Sequence, residues 1–226
     1  MIPVQKQEKP ADFDEKVTKR ALAFLDRNPN PTKTDIEKKA ELWRSVLDDL
    51  YEKYREVCAY CGLRFDRDGV SVDHFIPRSA IWKSNPMAAF EWDNFRLASR
   101  SMNTEKGDYR DVLDPFTIKP YWFVIHFPSM KVKSGSDLSP GEKAGVEATI
   151  ARLKLNVGGK RYIDIRRKQV KEYCKWATKW GNIGQALNIL ERDAPFIAFE
   201  LKRQGLEEKI VKMLKPRGKT ETGSAL

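Results

Sequence analysis

The chain has 226 residues, 41% of them hydrophobic and 33% charged, which supplies a sizeable core but no apolar run long enough for a membrane span. Lysine and arginine outnumber aspartate and glutamate by 42 to 32; the formal charge of +10 favours a polyanionic partner, because neutralising phosphates releases counterions. Three cysteines, an odd number, argue against a secreted disulfide framework, and Met1 to Lys6 has no signal-like apolar run, so a cytoplasmic chain without a membrane partner is expected.

Residues 1–11 are polar and read as an arm. Phe13 to Asp26 reads as an amphipathic helix through Phe13, Val17, Ala21 and Phe24 or Leu25. Thr34 followed by Glu37 has the capping-box pattern, and Ile36, Ala40, Trp43, Leu47, Leu50 and Tyr54 recur at intervals of four and three, so one helix packing on the core is predicted from there to Tyr54.

The stretch from Cys58 to Asp108 carries the chemistry. Leu63–Phe65 and Val70–His74 read as two strands joined at Asp68-Gly69, a strong hairpin signal, which puts Asp73 and His74 at the end of the second strand. Neighbours on a strand point to opposite faces, so a bend near Pro77 is needed for the two to converge. Leu97 to Lys106 reads as a helix stopped by Gly107, with Asn103 and Lys106 on one face. Residues 75–93 form a long loop, of a kind that is often functional. In it, Arg78 and Lys83 are candidate phosphate contacts, whereas Trp82, Phe90 and Trp92 pin the loop as a small satellite core.

Beyond Asp114-Pro115, strands are expected over 121–127 and 130–133, and a helix from Ser139-Pro-Gly-Glu142 with Val146, Ile150 and Leu153 on one face. Residues 161–180 form a basic helix containing Arg166 and Arg167, a second candidate DNA contact, and helices follow over 183–191, 195–203 and 207–214. Composition predicts a disordered tail over 215–226. The chain thus divides into an N-terminal arm and helices (1–54), a central core (55–115), a C-terminal strand pair with helices (116–214) and the tail.

Asp73-His74, Asn94-Phe95 and Asn103-Thr-Glu-Lys106-Gly107 occur in the order and at the spacing that resemble the HNH, or ββα-metal, endonuclease family. The resemblance implies an α+β fold in which a ββα-metal core is set among helices. It implies His74 as the general base, Asp73 and Asn103 as ligands of one Mg2+ or Mn2+, and Asn94 as the brace of the loop that orients the imidazole. Arg100 and Lys106 would add positive charge beside the phosphodiester. An imidazole of ordinary pKa, ~6.5, accepts a proton at neutral pH without a large shift. Many relatives complete the Cys-x-x-Cys pair, here Cys58 and Cys61, with two more cysteines for a structural zinc. Ser99 and Met102 stand at those places, so the ligand count disfavours zinc and favours buried thiols.

Asp114-Pro115, the strand over 121–127, and Leu153-Lys-Leu155-Asn156 followed by Arg161 extend the resemblance to the HNH component of Septu-type and retron-associated anti-phage systems. That implies a defence effector acting on DNA with a partner ATPase. A catalytically silent nucleic-acid-binding scaffold and an RNA-directed nuclease are the competing readings.

Overall fold

The computed structural model describes residues 1–159 and 161–214, a mixed α+β arrangement containing two antiparallel sheets of two strands each. The expected tail over 215–226 lies outside the described residues. Residues 1–10 form no regular element but are pinned: Val4 N–H donates to the Pro115 carbonyl (2.9 Å), and the Trp92 indole N–H donates to that of Gln7 (2.8 Å). The first helix begins as a π-helical turn, Asp14–Thr18, and continues as α1 (Lys19–Arg27), burying Phe13, Val17, Ala21 and Phe24 as its periodicity requires.

The single helix expected up to Tyr54 is three short ones, α2 (Lys33–Glu37), α3 (Ala40–Arg44) and α4 (Leu47–Lys53). The capping box lies two residues before the expected place. Thr32 Oγ1 accepts from Asp35 N–H (3.2 Å) and Asp35 Oδ2 accepts from Thr32 N–H (3.0 Å). The second break falls where the Ser45 hydroxyl donates back to the Leu42 carbonyl (2.7 Å), competing with the helical ladder.

The central strand pair differs from expectation. β1 (Val70–His74) pairs with β2 (Phe95–Ser99), in register from Val70↔Ser99 to His74↔Phe95. Residues 63–65 make only the bridge Val57↔Arg64, and Asp68-Gly69 lies in a 3₁₀ turn, Arg67–Gly69, rather than a hairpin loop. Gly69 does not adopt the positive φ that the two-residue turn requires. Instead, Cys58 N–H donates to the Leu63 carbonyl (2.9 Å) and closes the cysteine knuckle. Gly62 at φ +63° is required there, because a Cβ would meet that of Phe196 at 2.8 Å.

Between the strands lies the short helix α5 (Arg78–Ile81), then the 3₁₀ turns Pro86–Phe90 and Trp92–Asn94; Phe90 and Trp92 are buried as expected. After β2 comes α6 (Arg100–Lys106), capped by the Ser99 hydroxyl on Met102 N–H (3.2 Å) and stopped at Gly107 with φ +46°. Arg96 on β2 is buried and doubly bonded to Asp114 (3.0 and 2.7 Å), its guanidinium 3.5 Å from the centre of the Phe116 ring.

The remainder follows the sequence pattern closely. β3 (Phe123–His126) pairs with β4 (Lys131–Ser134), and the Asn156 amide bonds both backbone groups of Val132 (2.7 and 2.8 Å) as a substitute strand. Helices α7 (Pro140–Arg152), α8 (Tyr162–Trp180), α9 (Ile183–Asp193), α10 (Pro195–Gln204) and α11 (Glu207–Leu214) complete the described chain. Buried residues from all three described segments belong to one continuous core. Among the described residues no helix is long and apolar enough to cross a membrane.

Arg96→Met should lower the unfolding free energy by ~3 kcal/mol or more, since it strips the partner from a largely buried carboxylate. A urea melt of wild type and variant checks this; adding Asp114→Asn should recover part of the loss.

Candidate active site

Asp73, His74 and Asn103 line one cleft of ≈ 270 Å³, together with Pro77, Arg78, Thr104, Gly107 and Asp108. Asp73 and His74 reach it from the regular end of β1, whose ladder runs unbroken through Asp73↔Arg96 and His74↔Phe95, so no bend within the strand is needed. Asn103 reaches it from the middle of α6.

The imidazole is enclosed by aromatic rings, Trp43 at 4.9 Å and Phe95 at 5.3 Å, both edge-on. Its Nε2 lies 2.9 Å from the Ala89 carbonyl, which can only accept, so Nε2 carries the hydrogen and Nδ1 the bare lone pair. Arg78 donates to that lone pair at 3.1 Å. Asn94 fastens the loop that presents Ala89: its amide donates to the Ile76 (3.1 Å) and Ala88 (3.0 Å) carbonyls, and its Oδ1 accepts from Ile76 N–H (2.7 Å). Burial, and then the charge of Arg78, push the His74 pKa down to about 3 rather than leaving it at its ordinary value. At neutral pH the ring is uncharged.

Asp73 is buried and holds two partners, Lys106 Nζ on Oδ1 (3.1 Å) and the Tyr60 hydroxyl on Oδ2 (2.5 Å). Burial and the adjacent carboxylate hold the Tyr60 hydroxyl well above its ordinary pKa, so it stays a donor. Lys106 also donates to the His74 carbonyl (2.7 Å) and has no exposure at all, which corrects its expected place beside a phosphodiester. Asn103 donates through Nδ2 to Ser71 Oγ (3.0 Å) and the Val72 carbonyl (3.2 Å). Those bonds use the nitrogen, and the amide oxygen is the atom a hard cation takes. A carboxylate has about four lone-pair sites, two of them used at Asp73, so a carboxylate and a carboxamide oxygen on one cleft fit Mg2+ or Mn2+ in donor type.

The other expected phosphate contacts scatter. Arg78 lies on the cleft wall over the Trp43 ring (5.1 Å), and Arg100 is exposed, with Nε on the Asp68 carbonyl (2.6 Å). Lys83 is exposed over Trp82 (4.8 Å). Arg166 is buried and spent on the Met130 (2.8 Å) and Leu155 (2.6 Å) carbonyls, which removes it as a DNA contact; Arg167 beside it is exposed and paired with Asp164 (2.6 Å). Cys58 and Cys61 are buried free thiols, while Ser99 caps α6 and Met102 is buried, so this set falls short of the four N or S ligands of structural zinc.

Three contributors carried no assignment in the sequence. Trp43 looked like an ordinary member of a packing stripe, and Tyr60 was hidden between two cysteines. Ala89 acts through its carbonyl, for which side-chain type gives no signal. No protein-family model matches the chain, and no curated protein matches it significantly.

A histidine near pKa 3 when folded and ~6.5 when unfolded binds its proton only in the unfolded chain between those values, so its contribution to stability falls as pH drops from ~6.5 toward 3. From pH 7 to pH 5 the wild type should lose up to ~2 kcal/mol more than His74→Gln, read from denaturant melts of both at each pH.

Proposed function

We propose that the chain is a metal-dependent HNH endonuclease that hydrolyses DNA phosphodiester bonds, with His74 as general base. The observation that carries this reading is the meeting of Asp73, His74 and Asn103 on one cleft, from the end of β1 and the following α6. The Ala89 carbonyl fixes the ring and leaves the Nδ1 lone pair as the basic atom.

When a phosphate enters the cleft, Arg78 passes from Nδ1 to a phosphate oxygen, which offers it a full negative charge. That transfer frees the lone pair and removes a cation that disfavours imidazolium. Nδ1 then takes a proton from water as the water oxygen bonds to phosphorus and the P–O bond to the leaving oxygen breaks; the leaving oxygen takes a proton from solvent. A divalent cation on Asp73 and Asn103 would supply charge stabilisation to the phosphate and its leaving oxygen. Asn94 holds the loop, and Lys106 with Tyr60 fixes the Asp73 carboxylate. The longer resemblance to Septu-type and retron-associated proteins adds the setting, an anti-phage effector working with a partner ATPase.

A second reading, a catalytically silent nucleic-acid-binding scaffold, draws on the same site: Asp73 already has two partners, and His74 is buried with a strongly lowered pKa. Cleavage separates the two. Purified wild type should nick supercoiled plasmid with Mg2+ or Mn2+ and not with EDTA, and His74→Ala should lose the activity by ~10²-fold or more. Equal cleavage by the variant would overturn His74 as base; binding without cleavage by the wild type under any of these metals favours the scaffold.

A further inference from the structure

Next to the cleft runs a groove of ≈ 740 Å³, walled by α2, α3, the start of β1 and the start of α6. Arg44, Arg67, Arg78 and Arg100 line it above an apolar floor that includes Leu47, Val70 and Val72, and Glu37 is the one acid on its wall. Arg78 and Asn103 line both groove and cleft, so the two adjoin.

We infer that this groove is the track of the DNA backbone into the cleft, with Arg44 and Arg67 holding phosphates outside it. The inference rests on the nuclease reading and adds the path of its substrate. Arg44 is exposed, and Arg67 is partly exposed and paired with an Asp48 whose side chain is 78% exposed. A surface pair of that exposure holds weakly, and a phosphate that also releases counterions displaces it. Arg100 lines the same groove from the first turn of α6. Ala40, Leu47, Val70 and Val72 offer a sugar apolar contact, while Ser71 and Asn103 in the same lining can hydrogen-bond it, so the choice of DNA rests on the nuclease reading.

The basic face of α8 is the rival track, and since no α8 residue lines the groove or the cleft, the two are separable by substitution. Anisotropy of a short fluorescein-labelled DNA duplex should be measured in EDTA with full-length protein carrying His74→Gln, so that binding is read without cleavage. In that background, Arg44→Gln with Arg67→Gln should weaken binding about thirtyfold at ~0.15 M salt and flatten the slope of log K against log salt by about 1.8, at ~0.9 per phosphate contact. Arg167→Gln with Lys171→Gln, an equal loss of charge on α8, should change both much less, and circular dichroism melts should show the parent and both pair variants folded.

Equal losses from the two pairs, or a larger loss from the α8 pair, would overturn the track. So would tighter binding of an RNA duplex of the same sequence, or no DNA binding by the parent protein. Plasmid nicking by the otherwise wild-type chain distinguishes the two levels. If wild type nicks and the groove pair nicks as well, the groove is wrong and the nuclease reading stands. If the groove pair alone loses binding and wild type never nicks, the track stands and the nuclease reading falls.

Discussion

A lysine ammonium without solvent exposure, held between a carboxylate and a backbone carbonyl, sets the geometry of the central unit. Lys106 reaches from the last turn of α6 to Asp73 Oδ1 and to the His74 carbonyl, tying the helix to the end of β1 at two consecutive residues. Burying an ammonium is costly unless it is paired and hydrogen-bonded, and here the carboxylate, the carbonyl and the nearby Phe75 ring together offset that cost. The pairing fixes the rotation of α6. Asn103, one turn earlier on the same face, is thereby turned toward Ser71 and Val72 of β1, where its nitrogen is bonded and its oxygen is left for the cleft.

One wall of the groove beside the cleft comes from the N-terminal helices, which sequence division set apart from the central core. Trp43 packs edge-on against His74, tilts against Phe90 at 5.9 Å and supports the Arg78 guanidinium. One side chain therefore serves as core, as wall of the imidazole pocket and as platform for the arginine on Nδ1. The break between α2 and α3 and that between α3 and α4 let this segment wrap around the loop over 75–94. A single straight helix has no such curvature. The boundary drawn at residue 54 marks a change in sequence pattern, and the core runs across it.

What was legible in the sequence was local chemistry. Asp73-His74 on an alternating strand, the stop at Gly107, the capping pair Ser139–Glu142 and the apolar stripes of the terminal helices each follow from a few neighbouring residues. β2 was not legible, because Phe95 to Ser99 is buried on both faces and shows no period of two, so its second half merged with the helix after it. With the true partner strand hidden, the Asp68-Gly69 pair made the wrong hairpin look complete. Lys106 and Arg166 were misplaced for a different reason: a charged residue in sequence is taken as solvated, and whether a carboxylate or a set of carbonyls waits for it inside depends on segments far along the chain.

That last point bears on how the excess positive charge is to be understood. Three of the basic side chains, Arg96, Lys106 and Arg166, are buried, so their charges act as internal ties rather than as a field felt by a distant polyanion. Two of them are matched by Asp114 and Asp73, so removing these pairs from the count leaves the excess untouched; Arg166 is bonded to carbonyls and subtracts one charge from it. Of the exposed cations, many face carboxylates three or four residues away in sequence, as Lys16, Lys19 and Lys212 do, and those pairs cancel at any distance beyond a Debye length. What remains to attract a polyanion is the charge that is both exposed and set against little acid. The groove walled by α3 and α6 gathers such charge, since its arginines come from separate elements and the two acids paired with them, Asp48 with Arg67 and Glu37 with Arg78 at 3.9 Å, are themselves exposed surface groups. Net charge gives only the sign of the field; the elements that bring those arginines together determine where on the molecule it is felt.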